Sequence, residues 1–270
     1  MKKLYFLGPK GTYSELAAKK VSSILKEYEM EAISTIAKVV ELVNNTDNIA
    51  VLPVENSIEG IVRPTIDNIY KSEVKIQAEV DIKVEHCIIS KSKDIKNVQH
   101  IISHPQALAQ CQKYILEHCS EKIDLIEASS TAYAGNSLKD KDETYSAIVS
   151  PSLANELNYN ILDKNIGDIK ENKTRFIVIS KKNLHLGKNT RTTFVFNTKN
   201  EPGALLKILS IINKHDLNLI YLESRPSKEV FGEYNFFCDV DKGSNEIAQA
   251  LDEIKEQCNF YKLIGSYSDI

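Results

Sequence analysis

Short apolar runs alternate with polar turns and helical spacings along the first two thirds of the chain. The runs at 3–7, 48–54, 100–103, 122–126 and 145–149 are rich in β-branched residues and too short for helices, so they are predicted to be strands. Each is followed by a polar turn and then by a predicted helix. This repeated unit predicts parallel α/β sheets, in which ligands bind beyond the carboxyl ends of the strands.

Two further stretches predict how the chain is divided. Residues 74–89 are long, extended and β-branched, and we expect them to cross between two lobes. Residues 180–191 are polar and rich in lysine, which is typical of a linker. Beyond them the pattern changes to a βαββαβ order, the pattern of a split βαβ sandwich. The sequence therefore predicts an α/β protein with two domains, at 1–182 and 190–270.

Composition narrows the class of protein. The chain has 270 residues, a net charge of −3 and a pI of about 6.1, which disfavour binding to nucleic acid or to an anionic membrane. The first apolar run stops at Gly8-Pro9, too soon for a signal peptide, and no run reaches membrane-spanning length. Five cysteines without Cys-x-x-Cys spacing predict free thiols in the cytoplasm and no metal site.

The most informative polar stretch stands at the entrance to the apolar segment 177–179, where Thr174 and Arg175 are adjacent. Only four of the 34 basic residues are arginines, and a scarce arginine favours two-pronged binding of a carboxylate. A strand-end salt bridge is the alternative interpretation of Arg175.

Five such polar stretches occur together in one order. They are Gly8-Pro9-Lys10-Gly11-Thr12-Tyr13-Ser14-Glu15, Pro53-Val54-Glu55-Asn56-Ser57, Ser103-His104-Pro105-Gln106, Ser129-Ser130-Thr131-Ala132 and Asn172-Lys173-Thr174-Arg175-Phe176. The set strongly resembles the prephenate dehydratase family. In the second domain, Asn200-Glu201-Pro202-Gly203-Ala204-Leu205 and Glu223-Ser224-Arg225-Pro226 resemble the ACT regulatory domain.

The resemblance implies a two-lobed, periplasmic-binding-protein-like catalytic domain that converts prephenate to phenylpyruvate without metal or redox cofactor. It implies that Thr174 donates to the departing hydroxyl, with Glu55 or His104 as a proton relay, and that Arg175 clamps a carboxylate. The remaining residues expected to bind substrate are Thr12, Asn56, Ser57, Ser103, Gln106, Gln110, Ser129, Ser130, Thr131 and Phe176. Glu55 is expected to be partly structural, because an ionised carboxylate repels a dianion. His104 is as compatible with a turn cap as with catalysis.

The ACT resemblance implies that L-phenylalanine binds the second domain and inhibits the enzyme. The expected effector-binding residues are Asn200, Gly203, Ala204, Leu205, Glu223, Ser224, Arg225 and Pro226, with the second segment contributed by the same or a partner subunit. ACT-type sheets pair edge to edge, so we expect a homodimer or homotetramer. No chorismate mutase segment precedes the first strand, which predicts a free-standing dehydratase.

Two alternative functions stay open at this point. An arogenate dehydratase would perform the same chemistry on the aminated substrate. A non-catalytic amino-acid sensor would share the two-lobed architecture and the ACT domain.

Overall fold

The strands among the described residues form two separate sheets with helices on their faces. The computed structural model describes residues 2–227 and 233–270. The strands are β1 (Lys2–Leu7), β2 (Tyr28–Ile33), β3 (Ile49–Asn56), β4 (Gly60–Ile61), β5 (Lys75–Lys83), β6 (Cys87–Ser90), β7 (His100–Ser103), β8 (Asp124–Glu127), β9 (Tyr145–Val149), β10 (Asn160–Lys164), β11 (Lys173–Ser180), β12 (Arg191–Asn197), β13 (Leu219–Pro226), β14 (Tyr234–Val240) and β15 (Phe260–Tyr267). The α-helices are α1 (Tyr13–Ile24), α2 (Ile36–Asn44), α3 (Arg63–Tyr70), α4 (Pro105–Ala109), α5 (Gln112–His118), α6 (Thr131–Ser137), α7 (Pro151–Leu157), α8 (Ala204–Lys214) and α9 (Ala248–Glu256).

The first lobe is built on the part of the larger sheet with strand order β5-β11-β3-β1-β2. Strands β1, β2 and β3 are parallel, whereas β11 runs antiparallel to both β3 and β5. The prediction of parallel sheets therefore holds for only part of this lobe. The reason is the chain path, because β11 returns from the other lobe and enters the sheet from the opposite end. As a result, the carboxyl ends of β1, β3 and β5 and the start of β11 meet at one edge.

The second lobe has its own sheet, with strand order β10-β6-β9-β7-β8. Strands β7, β8 and β9 are parallel, and β6 and β10 are antiparallel to their neighbours. The predicted crossing stretch contributes β5 to the first lobe and β6 to the second. The expectation that it joins two lobes is confirmed.

The C-terminal domain has the predicted βαββαβ order, and its four strands are arranged β13-β14-β12-β15. Helices α8 and α9 cover one face over a core that includes Phe194, Ile208 and Ile254. Helix α8 begins at Ala204. Gly203 precedes it at a φ of 81°, a left-handed conformation that glycine adopts without strain.

The C-terminal domain is joined to the first lobe by packing and by backbone pairing. Gly265 of β15 pairs in parallel with Ile76 of β5, so the two sheets are continuous. A Cβ atom at Gly265 would lie 2.5 Å from the Ile76 carbonyl oxygen, so only glycine permits this approach. One apolar cluster contains residues of both units, including Ile177, Phe237 and Tyr267. Among the described helices, none has the length and apolar character needed to cross a membrane.

Candidate active site

A cleft of about 450 Å³ lies between the two lobes, at the edge where the strand ends meet. Most predicted substrate residues line it from both sides. Those in its wall are Thr12, Asn56, His104, Gln106, Gln110, Ser129, Ser130, Thr131, Thr174 and Phe176. No lysine or arginine of the described residues is among its lining side chains. The cleft therefore offers hydroxyl, amide and imidazole groups rather than cations.

The hydrogen bonds around Asn56 determine the direction in which Thr174 can donate. Asn56 Oδ1 accepts hydrogen bonds from the backbone N–H groups of Ile58 and Glu59, at 3.0 and 3.1 Å. Because a backbone N–H can only donate, the other end of the amide must be Nδ2. That nitrogen lies 2.8 Å from Asn172 Oδ1, 3.0 Å from Thr174 Oγ1 and 3.1 Å from the Lys173 carbonyl oxygen, so these three acceptors share its two hydrogens. Toward this NH₂ group Thr174 Oγ1 can act only as an acceptor, which leaves its own hydrogen for the cleft.

Arg175 does not line this cleft. Side chains alternate along β11, so Thr174 and Arg175 lie on opposite faces of the sheet. The Arg175 guanidinium contacts Asp239 at 3.1 Å, Glu79 at 3.2 Å and Glu55 at 3.1 Å. These contacts correspond to the salt bridge that was the alternative interpretation. The predicted carboxylate clamp is not available to a ligand between the lobes in this arrangement.

The ion pairs of Arg175 are part of a buried charged cluster between the first lobe and the C-terminal domain. Arg191 adds a second guanidinium, 3.1 Å from Glu79 Oε1 and 3.7 Å from Asp239 Oδ2. Burial raises the pKa of Glu79, and the two guanidinium groups oppose that shift. The cavity beside Arg175 has a volume of only about 10 Å³, too small for a substrate. We name Glu55, Glu79, Arg175, Arg191 and Asp239 the interdomain charge cluster.

Three more predicted site residues are also directed away from the cleft. Glu55 belongs to the interdomain charge cluster, so it is structural as the sequence partly predicted, and it is not placed to relay a proton to Thr174. Ser103 is fully buried and donates to the Ile148 carbonyl oxygen. Ser57 Oγ lies 3.3 Å from Asn172 Oδ1 and accepts from the Lys173 backbone at 3.0 Å, so it supports the start of β11.

Side-chain hydrogen bonds hold the turns that carry the predicted motifs. His104 caps α4, because its Nδ1 accepts a 3.3 Å hydrogen bond from the Gln106 backbone. Thr12 donates to the Pro9 carbonyl oxygen instead of capping α1. Glu15 Oε2 accepts from the Gly11 backbone at 2.6 Å, which ties the first turn of α1 to the glycine turn before it.

Two polar residues that received no role from the sequence belong to the site. His86 lines the cleft and lies 3.0 Å from Gln110, and Asn172 bonds to both Asn56 and Gln110. Burial lowers the pKa of His86, opposed by the Gln110 hydrogen bond. His86 stands in the predicted crossing stretch and Asn172 opens the motif of Thr174. The sequence signal that could have found these two residues is a polar side chain in each segment that crosses between the lobes.

The two segments of predicted effector residues lie in different parts of the structure. Asn200, Ala204 and Leu205 line a cavity of about 160 Å³ in the C-terminal domain, beside the Gly203 turn. The second segment instead faces the first lobe, where Arg225 binds Asp67 at 2.9 Å. Its other members are Glu223, which contacts the same arginine, Ser224, which is exposed, and Pro226, which lines a small cavity beside α3. Within one chain the two segments do not close one pocket.

Metal ligands are not grouped in the described residues, where no three side chains of His, Cys, Asp or Glu are placed to hold an ion.

Comparison with protein families matches residues 4–184 to the prephenate dehydratase model. The chain belongs to the prephenate dehydratase family. Residues 192–259 match the ACT domain model. The prephenate dehydratase of Methanocaldococcus jannaschii is 40% identical over 266 residues, which cover 96% of this chain and 95% of that protein. These findings confirm the resemblance read from the motifs. This member of the family is a carbon–oxygen lyase.

Solved structures agree with the prephenate dehydratase assignment. The prephenate dehydratase of Arthrobacter aurescens, determined in complex with L-Phe, matches with a TM-score of 0.87 and 29% identity, covering 98% of this chain and 90% of that one. The match confirms the α/β fold with a two-lobed catalytic unit and an ACT domain. A structure described as GqqA, a novel type of quorum quenching acylase, also matches, with a TM-score of 0.86, 27% identity and coverage of 100% and 98%.

Proposed function

We propose that this dehydratase binds prephenate in the cleft between its lobes and releases phenylpyruvate, carbon dioxide and water. The observation that carries the assignment to this site is Thr174, whose oxygen is occupied as an acceptor and whose hydrogen is free toward the cleft. The position of that donor, at the carboxyl ends of converging strands, is where α/β sheets bind ligands.

The reaction needs a donor more than it needs a base. When the ring carboxylate leaves as carbon dioxide, the electron pair of the broken carbon–carbon bond enters the ring and expels the ring hydroxyl. The departing oxygen takes up one proton and leaves as water. The Thr174 hydroxyl is assigned to donate to this oxygen, and positioned proton donation contributes about 10²–10⁴-fold to rate.

His104 is the titratable group that we assign to the same step. It lines the cleft from the second lobe. Its Nδ1 accepts the Gln106 backbone hydrogen, so a neutral imidazole carries its proton on Nε2 and can donate it. Glu55 is removed from this role because its carboxylate is held by Arg175.

Neutral donors are assigned to hold the two carboxylates of prephenate. Gln110 offers an amide, and Ser129, Ser130 and Thr131 place hydroxyls at the start of α6. Thr12, whose hydroxyl donates to the Pro9 carbonyl oxygen, can contribute its backbone N–H group at the start of α1. A cation on the ring carboxylate would stabilise the charge that must be lost as carbon dioxide. A cleft wall without cations is therefore suited to a decarboxylating reaction.

We propose in addition that L-phenylalanine inhibits the enzyme from the ACT domain. The cavity beside Gly203 is lined by Asn200, Leu205 and two aromatic residues of β14, Tyr234 and Phe236. It would be completed by the Glu223 to Pro226 segment of a partner subunit, since this chain's own segment faces α3. This geometry supports a homodimer or homotetramer. The L-Phe complex of the related structure also supports the effector.

Strand β14 offers a direct physical connection between that cavity and the catalytic strand. Tyr234 and Phe236 line the effector cavity, and Asp239 of the same strand binds Arg175 at 3.1 Å. Arg175 is next to Thr174 on β11. A shift of β14 on binding phenylalanine would move the interdomain charge cluster, and a tenfold inhibition needs only about 1.4 kcal/mol of coupling.

The catalytic proposal is tested by incubating the purified protein with prephenate and recording the absorbance of phenylpyruvate. We expect turnover that the Thr174→Ala variant lacks. Running arogenate in parallel distinguishes the arogenate alternative, because kcat/KM should be higher for prephenate. Turnover of neither substrate above the rate of Thr174→Ala would overturn the proposal and favour the non-catalytic sensor.

The regulatory proposal is tested by titrating L-phenylalanine while measuring rate and thermal stability. We expect the rate to fall and the melting temperature to rise. No change in either quantity would overturn regulation and leave the catalytic proposal standing. A cytoplasmic location is part of the same proposal and is supported by the free state of all five cysteines.

A further inference from the structure

His86 lies at the first crossing between the lobes, in the connection between β5 and β6. It is only 4% exposed, yet it lines the cleft. We propose that His86 is a positioning residue that holds the Gln110 amide with its NH₂ group directed at the substrate. The proposal rests on the function proposed for the cleft and adds to it a residue that touches Gln110 rather than the reacting atoms.

The direction of every hydrogen bond in this region follows from the Asn56 amide. Asn56 Nδ2 donates to Asn172 Oδ1 at 2.8 Å, so the other end of the Asn172 amide is Nδ2. Asn172 Nδ2 lies 3.1 Å from Gln110 Oε1 and must donate to it. Gln110 Oε1 is therefore an acceptor, and His86 Nε2, which lies 3.0 Å from the same oxygen, must carry a hydrogen.

This chain of bonds determines the tautomer of His86. With the hydrogen on Nε2, a neutral imidazole has a bare lone pair on Nδ1. Nδ1 is buried and has no protein donor among the described residues. A buried polar atom without a partner needs an explanation. Protonating Nδ1 would bury an N–H group that has no acceptor in the described part of the chain. The site therefore keeps the imidazole neutral, in agreement with the lowered pKa of His86.

The same hydrogen bonds fix the orientation of the Gln110 amide. Its Oε1 accepts two hydrogen bonds from the rear of the cleft, from His86 and Asn172. An amide held in this way cannot exchange its oxygen and nitrogen without leaving two donors unpaired. Its Nε2 has no protein partner in the part of the chain that the structure describes. The NH₂ group is thus presented to a carboxylate or hydroxyl in the cleft.

The same bonds join all parts of the cleft. His86 and Asn172 stand at the two crossings between lobes, Asn56 ends β3 of the first lobe, and Gln110 follows α4 of the second. The ring of His86 packs edge-on against Tyr13, with centroids 6.4 Å apart. Its backbone carbonyl accepts a 3.0 Å bond from Ile166 at the second crossing. His86 is therefore held from both lobes.

The first test measures the tautomer directly. Nitrogen-15 NMR of the histidine-labelled full-length protein, with His86 assigned by comparison with His86→Gln, should show Nε2 protonated and Nδ1 unprotonated at pH 7. An Nδ1–H tautomer or a protonated ring would overturn the proposal. This readout does not depend on activity, so it stands apart from any failure of the proposed reaction.

The second test uses variants that differ in where they carry a donor. Glutamine places an NH₂ group near the position of His Nε2, whereas asparagine places it near Nδ1. With prephenate as substrate, His86→Gln should retain kcat/KM within about threefold of wild type. His86→Asn and His86→Leu should lose about 10- to 100-fold, the usual cost of leaving a buried acceptor short of a donor. Equal activity of the Gln and Asn variants would overturn the proposal.

A double-variant cycle separates positioning from general destabilisation. If His86 acts through Gln110, adding His86→Leu to Gln110→Ala should lower kcat/KM by no more than about twofold, whereas independent effects would multiply. Melting temperatures of all variants are recorded in parallel. Multiplicative losses would show that His86 does not act through Gln110 and would contradict the proposal. If His86→Leu does not fold, the comparison of Gln with Asn still decides.

Discussion

The two faces of strand β11 place neighbouring residues in opposite environments. On one face, Thr174 opens onto a cleft of about 450 Å³ lined by amides, hydroxyls, imidazoles and the carboxylate of Glu59, with no lysine or arginine among its described lining residues. On the other face, Arg175 is enclosed by Glu55, Glu79 and Asp239 beside a cavity of about 10 Å³. Chemistry needs an accessible donor, whereas a buried charge needs enclosure by opposite charges. We therefore propose that one dipeptide serves both the reaction, through Thr174, and the contact between domains, through Arg175.

The contrast also separates two kinds of sensitivity to mutation. A change on the cleft face removes a contact to substrate and leaves the packing of the sheet intact. A change of Arg175 on the opposite face removes one of the two guanidinium groups that face the buried carboxylates and loosens the ACT domain from the first lobe. Activity should therefore report on the first face, and stability and regulation on the second.

Removing the Thr174 hydroxyl should give the largest effect. We expect Thr174→Ala to lower kcat on prephenate by about 10²–10⁴-fold, because the leaving oxygen loses its donor. Thr174→Ser restores a hydroxyl and should retain much of the activity. The matched control is Ser103→Ala, whose hydroxyl donates to Ile148 away from the cleft, and which should leave KM unchanged. Equal kcat for Thr174→Ala and wild type would remove Thr174 from the mechanism.

Removing the Arg175 guanidinium should be the next largest effect, and it should act on stability. Arg175→Gln leaves the buried Glu79 and Asp239 with Arg191 as their remaining guanidinium partner, and we expect the free energy of unfolding in urea to fall by about 3 kcal/mol. The control is Arg63→Gln, whose side chain is 73% exposed and should change stability very little. A loss as small for Arg175 as for Arg63 would contradict the role of the interdomain charge cluster.

Weakening the connection between the ACT domain and Arg175 should affect inhibition. Asp239→Asn removes one carboxylate contact to Arg175, and we expect the inhibition constant for L-phenylalanine to rise about tenfold, equivalent to about 1.4 kcal/mol. The rate without phenylalanine should change much less. Asp241→Asn is the matched control, because its carboxylate bonds to the Asn218 backbone within the ACT domain. Unchanged inhibition in Asp239→Asn would exclude this connection.

A smaller effect is expected in the pH dependence of Arg175→Gln. Burial raises the pKa of Glu79, and removing one opposing guanidinium raises it further. Glu79 then binds its proton more tightly in the folded state than in the unfolded state. Stability therefore falls as pH rises above 4.5, the ordinary pKa of a glutamate, towards the raised pKa of the folded state. The melting temperature of the variant, compared with wild type, should drop further at pH 8 than at pH 5. A difference that does not change with pH would show that Glu79 is not the group affected.

The order of strands and helices was predictable from sequence because apolar periodicity and turn residues are local signals. The exact start of a helix depends on local backbone geometry, as at Gly203. The cleft wall was largely predictable too, since the carboxyl ends of neighbouring strands must meet. The direction in which some side chains point was not predicted correctly. The scarcity of arginine indicated that Arg175 binds carboxylates, but only alternation along β11 and the docking of the ACT domain show that they are the protein's own. The contribution of His86 depends on distant partners, which a single chain read in order does not reveal.

The division between the two faces of β11 is tested most directly by the KM of Arg175→Lys for prephenate, measured beside its melting temperature. We predict a KM within about threefold of wild type and a clearly lower melting temperature, because lysine cannot reproduce the forked contacts to three carboxylates. A KM raised tenfold or more at an unchanged melting temperature would show that the guanidinium reaches the substrate. It would contradict the separation of catalysis from domain contact.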